Sequence, residues 1–152
     1  MTRIVLAVIR LLALIFSFLI STLGAAAFLA FALFLGGETQ WMRNDPAVAM
    51  GWLGFTFVAW IEICQALFLP FILIAAIAEF SRQTSFLFNV LAGGGLALFY
   101  LLTAPYSFDL PYSQQETWTA GLAAGFVAGL FHWLLAGFRA GRWLGPIQQT
   151  EL

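Results

Sequence analysis

Four apolar runs occupy most of this chain: Ile4 to Leu35, Ala47 to Ala78, Phe86 to Ala104 and Trp118 to Phe138. Each reaches, or nearly reaches, the ~20 residues that a helix needs to cross the hydrocarbon of a bilayer. Backbone N–H and C=O groups find no water there, so such runs fold as helices that satisfy those groups internally. The pattern predicts an all-α, polytopic membrane protein with four transmembrane helices in one bundle, a single domain over residues 1–152. Its composition points the same way: 62% of residues are hydrophobic and 9% are charged, against roughly 25% charged in soluble domains. The formal net charge is -1, and no basic patch reads as a nucleic-acid surface.

The first two runs are 32 residues each, about 48 Å as helix. A hydrocarbon core is ~30 Å thick, so these helices must tilt, kink or project beyond it. Pro70 offers a kink in the second run, because it removes a backbone donor and frees the carbonyl of Ala66. If four helices cross, Arg3, Arg10, Arg82, Arg139 and Arg142 share one side, and Arg43 alone takes the other with Glu38 and Asp45. Basic residues collect on the cytoplasmic side, which predicts both termini in the cytoplasm. Trp41, Trp52, Tyr100, Tyr106, Tyr112 and Trp118 would mark one interface and Trp143 the other. Gly24-Ala25-Ala26-Ala27 mimics a small-residue cleavage site after a basic start, but the apolar run continues through Phe28 to Leu35. An uncleaved first helix is the better reading. The segment Pro105 to Ser113 repeats Pro-Tyr-Ser and, with two prolines, reads as a structured loop. The tail from Gly145 to Leu152 reads as frayed.

Glu62 lies near the middle of the second run, with no basic residue in that run to pair with. An ionised carboxylate at the centre of a bilayer costs roughly 2.5–3.5 kcal/mol by insertion scales, so one that is present needs a partner, a proton or a task. Gln65 follows at i+3 on the same helical face. Glu62 and Gln65 are therefore the candidate proton or cation site. The structural reading is a protonated carboxyl bonded to Gln65, to the freed Ala66 carbonyl or to another helix.

Gly121, Gly125 and Gly129 recur every four residues in the fourth run, flanked by Ala120, Ala124 and Ala128. Small residues at this spacing let two helix backbones approach closely in lipid, and packing within the chain is the preferred reading. Gly93-Gly94-Gly95 in the third run permits close contact with a neighbour. No Lys-Ser/Thr follows these glycines, so they form no phosphate loop. Asn89 is placed to bond across helices. Glu79 and Arg82, at i and i+3, read as an exposed ion pair at the end of the second helix.

His132 is the only histidine and Cys64 the only cysteine. A lone histidine reads as a packed ring bonding a backbone carbonyl or water rather than a metal or haem ligand. A lone cysteine closes no internal disulfide and reads as a small hydrophobe. No nucleophile–base pair, paired-carboxylate site, metal cluster or cofactor fingerprint is present in the sequence, so neither catalytic residues nor a cofactor are assigned.

Helix number, size and one membrane glutamate resemble the small multidrug resistance transporters. Those proteins are shorter and carry the glutamate in their first helix, whereas Glu62 lies in the second. The small four-helix subunits of tripartite carboxylate transporters are similar in size, without matching charged signatures. The stretch Ala75-Ala76-Ile77-Ala78-Glu79 with Arg82 and Gly93-Gly94-Gly95, and the ending His132 to Gly137 through Arg142, resemble uncharacterised inner-membrane proteins of alphaproteobacteria. This resemblance covers the last three helices and implies an inner-membrane location and no known activity.

The expected product is thus a bacterial inner-membrane protein whose surroundings are the lipid bilayer and either a homo-oligomer or a larger membrane complex. Its expected role is that of a non-enzymatic accessory or assembly subunit. The alternative is a small proton- or cation-coupled transporter or channel with Glu62 as the coupling site.

Overall fold

The computed structural model describes residues 3–35, 46–103 and 114–141. The readings above on the two linking segments, on Arg43, on most interface aromatics and on the tail lie outside these residues. Four helices follow in order: α1 (Arg3–Leu35), α2 (Pro46–Phe80), α3 (Phe86–Thr103) and α4 (Gln114–Leu135), then a short 3₁₀ turn, Gly137–Arg139. All four helices are long and apolar enough to cross a membrane. α1 is one continuous helix, and α2 runs through Pro70 without interruption. α4 starts four residues before the apolar run, because Gln114, Gln115 and Glu116 are polar but helix-compatible and suit a first turn. It stops at Leu135, short of the expected Phe138, where Ala136 leaves helical geometry ahead of Gly137.

α1 packs against α2 and α4, α4 packs against α3, and α2 touches α3 only sparsely. The bundle is therefore a ring in the order α2, α1, α4, α3, with a loose seam between α2 and α3. The core is made largely of small residues: Ala26, Ala30, Ala59 and Ala124 are buried, with Phe18, Ile63 and Leu67 filling between them. Outside, the large side chains are apolar and exposed, Leu69 at 72% and Leu102 at 66% among them. Water-soluble monomers do not carry an apolar surface of this extent, whereas lipid tails or other helices can cover it. Ile4, Val5, Leu6, Val8 and Ile9 are exposed around almost the whole start of α1.

The closest backbone approach is between α3 and α4. An added Cβ on Gly93 would lie 2.3 Å from the carbonyl oxygen of Gly125, and one on Gly129 would lie 2.4 Å from that of Asn89. Gly121 faces the side chain of Leu101. The glycine stripe of α4 thus lies against α3 of the same chain. Absence of side chains brings the two backbones together, and dispersion contacts hold them there.

Three interactions tie the helices at one end. The indole Nε1 of Trp133 donates to the carbonyl of Thr84 at 3.0 Å. α2 closes through two bonds, Gln83 N–H to Ala78 O (2.8 Å) and Arg82 N–H to Glu79 O (3.2 Å), with Arg82 at φ 53°. This is the Schellman closure, whose left-handed residue is normally glycine. Arg82 in turn packs on Gly141, itself at φ +72°.

Candidate functional site

The polar side chains of the bundle fall into three places. At the end of the bundle, Arg10 of α1 reaches across to Glu79 of α2. Arg10 Nε donates to Glu79 Oε1 at 2.8 Å, a second guanidinium nitrogen contacts the same oxygen, and that nitrogen also donates to the Ala136 carbonyl at 2.8 Å. The other carboxylate oxygen accepts the Gly141 backbone N–H at 2.9 Å. Glu79 is 6% exposed. The expected exposed Glu79–Arg82 pair is therefore corrected: Glu79 is buried and its ion pair is with Arg10. The i, i+3 spacing suggested a local partner, but the up-down topology brings the start of α1 to the end of α2. Arg10 thereby ties α1, α2 and the segment after α4 into one joint, and both charges are offset where they are buried.

The second place lies inside the bundle. His132 Nδ1 and Ser17 Oγ are 2.8 Å apart, and the imidazole stands edge-on to Phe71, with centroids 5.2 Å apart at 90°. The expected carbonyl or water partner of His132 is replaced by a side chain of α1. Asn89 also departs from expectation: its amide donates to the Ser85 carbonyl in the segment leading into its own helix (2.8 Å) and fills the space beside Gly137. Beyond these groups a cavity of about 440 Å³ opens between all four helices. Its wall is apolar except for Ser21, Thr22, Asn89, Tyr100, Thr117 and His132. Cys64 faces α1, with its sulfur 3.2 Å from Thr22 Oγ1.

The third place is the outer surface of α2. Glu62 and Gln65 are both exposed, and neither has a hydrogen-bond or ion-pair partner among the described residues. Ala59 and Ile63, their neighbours in the helix, point inward. Trp60 and Cys64 turn to α1, so Glu62 stands on the opposite flank, toward the α2–α3 seam. It lies within electrostatic reach of Tyr100 of α3, which lines the cavity. Glu62 itself does not line it. Along α2 it sits about 25 Å from the Arg10–Glu79 joint, near the middle of the helix. His132 packs near Phe71, about 13 Å along the axis from Glu62, so the two do not form a pair.

Sequence reasoning singled out Glu62, Gln65 and the glycine stripe, but not the Arg10–Glu79 joint or the Ser17–His132 bond. The signal for the first was available: Arg10 is the only arginine inside any of the four apolar runs, and Glu79 directly follows the second run. Serine in an apolar run carries no such signal, because it is common there and usually bonds its own helix. Among the described residues no group of three His, Cys, Asp or Glu side chains could hold a metal ion. No protein family matches this chain, and no curated protein or solved structure matches it.

Proposed function

We propose that this chain is a multi-pass protein of a bacterial inner membrane, with both termini cytoplasmic, and a non-enzymatic accessory or assembly subunit of a larger membrane complex. One observation carries the reading: Glu62 and Gln65 are exposed at mid-helix on α2, Glu62 beside the α2–α3 seam, and neither has a hydrogen-bond or ion-pair partner among the described residues. Large apolar side chains such as Ile61, Phe68 and Leu69 surround them. Facing lipid tails, a carboxylate and an amide there would each forfeit their hydrogen bonds. Facing a second helix that carries a donor, both are satisfied.

The occupant that fits is a transmembrane helix of a different subunit bearing an arginine, lysine or amide at the level of Glu62. A second copy of this chain in two-fold contact would set Glu62 toward Glu62, which opposes like charges. Affinity purification from the native host in mild detergent tests the reading. The parent chain should retain one stoichiometric partner, and Glu62→Leu should lose it while remaining monodisperse and helical. A parent that purifies alone, or a variant that keeps the partner, overturns it.

A second reading, a proton- or cation-coupled transporter, draws on the proximity of Glu62 to Tyr100 at the edge of the cavity. It predicts that Glu62→Gln abolishes pH-dependent flux in proteoliposomes. Equal flux in parent and variant removes it.

A further inference from the structure

The cavity is polar at Ser21, Thr22, Asn89 and His132, mainly apolar along its middle, and polar again at Tyr100 and Thr117. Ser21 is 4% exposed, lines the cavity, and its Oγ has no hydrogen-bond partner. Buried hydroxyls are nearly always paired, so an unpaired one that borders empty space is a candidate contact for something that occupies the space. Its neighbours are already committed. One turn away Ser17 is bound to His132, and Thr22 donates to the Phe18 carbonyl at 2.8 Å. The His132 ring borders the same cavity. Toward the other end the wall is Leu29, Leu33, Phe55, Ala59 and Leu96, with Tyr100 and Thr117 beside them. From Ser21 to Leu33 the wall extends about 18 Å along α1.

The volume of about 440 Å³ falls within the range of small-molecule sites, which are mainly apolar with a few placed polar groups. Water is a poor occupant, because it needs two to four polar partners and most of this wall offers none. Among the described residues no Asp, Glu, Lys or Arg lines the cavity. A charged ligand would therefore be buried without a counter-charge. The seam between α2 and α3 is where packing around the cavity is sparse.

We propose that the cavity binds a neutral amphiphile: an apolar chain lying along Ile63, Leu96 and Leu29, with a single hydroxyl or carbonyl head bonded to Ser21 Oγ beside His132. This site is separate from the Glu62 face and does not depend on the assembly reading.

Photolabelling tests it with the full chain in lipid nanodiscs. The probe is a decanol carrying a diazirine on its chain, competed with n-decanol or n-decane, and adducts are mapped by mass spectrometry. Adducts should fall on Ile63, Leu96 and Leu29. n-Decanol should suppress them about tenfold more effectively than n-decane, the effect of one net hydrogen bond. Ser21→Ala should remove that preference, and Ala92→Leu, which narrows the cavity and keeps Ser21, should lower labelling by either route. If Ser21→Ala does not fold, the decanol-to-decane comparison on the parent chain decides alone. Adducts confined to outward residues such as Leu69 and Leu73 overturn the proposal. So do cavity adducts competed equally by decanol and decane, which would mark the cavity as a place for membrane acyl chains.

Discussion

Arg10 and Glu79, 69 residues apart in sequence, meet at one end of the bundle as a buried ion pair that also holds the Ala136 carbonyl and the Gly141 N–H. Both carboxylate oxygens and two of the three guanidinium nitrogens have partners, and such pairing is the condition under which a buried ion pair is tolerated. The joint ties α1 to α2 at that end, while Trp60 and Cys64 make further polar contacts between the same two helices.

Removing one partner should cost far more than removing both. Arg10→Ala or Glu79→Ala leaves a buried charge uncompensated and should destabilise the fold by about 3–5 kcal/mol. Arg10→Met with Glu79→Met should recover most of that loss. Unfolding in mixed detergent micelles measures all three.

The glycines of α3 should respond in opposite ways to the same change. Gly93→Ala sets a methyl 2.3 Å from a backbone oxygen of α4, which must push the helices apart and should cost about 1–3 kcal/mol or more. Gly95, where an added Cβ meets nothing within 4 Å, should gain about 0.5–1 kcal/mol from alanine's better helix propensity. Gly125→Leu should fail to assemble the α3–α4 pair. Thermal stability in detergent reads the contrast, and equal effects at Gly93 and Gly95 would contradict the packing described.

Ser17 and His132 should couple. A double-mutant cycle with Ser17→Ala and His132→Phe should return about 0.6 kcal/mol, with ~1.7 as the ceiling seen for such bonds in lipid. A coupling of zero would mean that the two side chains do not hold each other in the folded protein.

The end of α2 offers a test of backbone geometry. Gly141 has φ +72°, and an added Cβ would lie 2.4 Å from Arg82 Cγ. Gly141→Ala should therefore destabilise through both strain and overlap, by about 1–3 kcal/mol. If Gly141→Ala matched the parent chain in unfolding midpoint, the contact with Arg82 would be wrong.

Much of this architecture is written in the sequence in coarse form. Apolar run length gives four helices and nearly gives their limits, because a helix of this kind is set by hydropathy over some 20 residues and not by any single side chain. The four-residue spacing of Gly121, Gly125 and Gly129 points to close packing, since few other physical reasons produce it. Direction is harder to read. With apolar residues around the whole of α2, periodicity does not say which face is inward, so Glu62 could be placed at a depth but not on a side. Long-range partners are not legible either. Glu79 has one arginine nearby in sequence, Arg82, and another, Arg10, that is distant in sequence and adjacent in the fold; only the packing of α1 against α2 chooses between them. Serines 17 and 21 look alike in the sequence, yet one is bonded to His132 and the other faces a cavity.

The central claim is that the Glu62–Gln65 face of α2 is covered by another subunit. Site-specific photocrosslinking in the native host tests it most directly, with a photoreactive amino acid at position 65 and, as the outward control on α3, at position 102. The account predicts one discrete protein adduct from position 65, lost on Glu62→Leu, and lipid adducts only from position 102. Lipid adducts alone from both positions would contradict it.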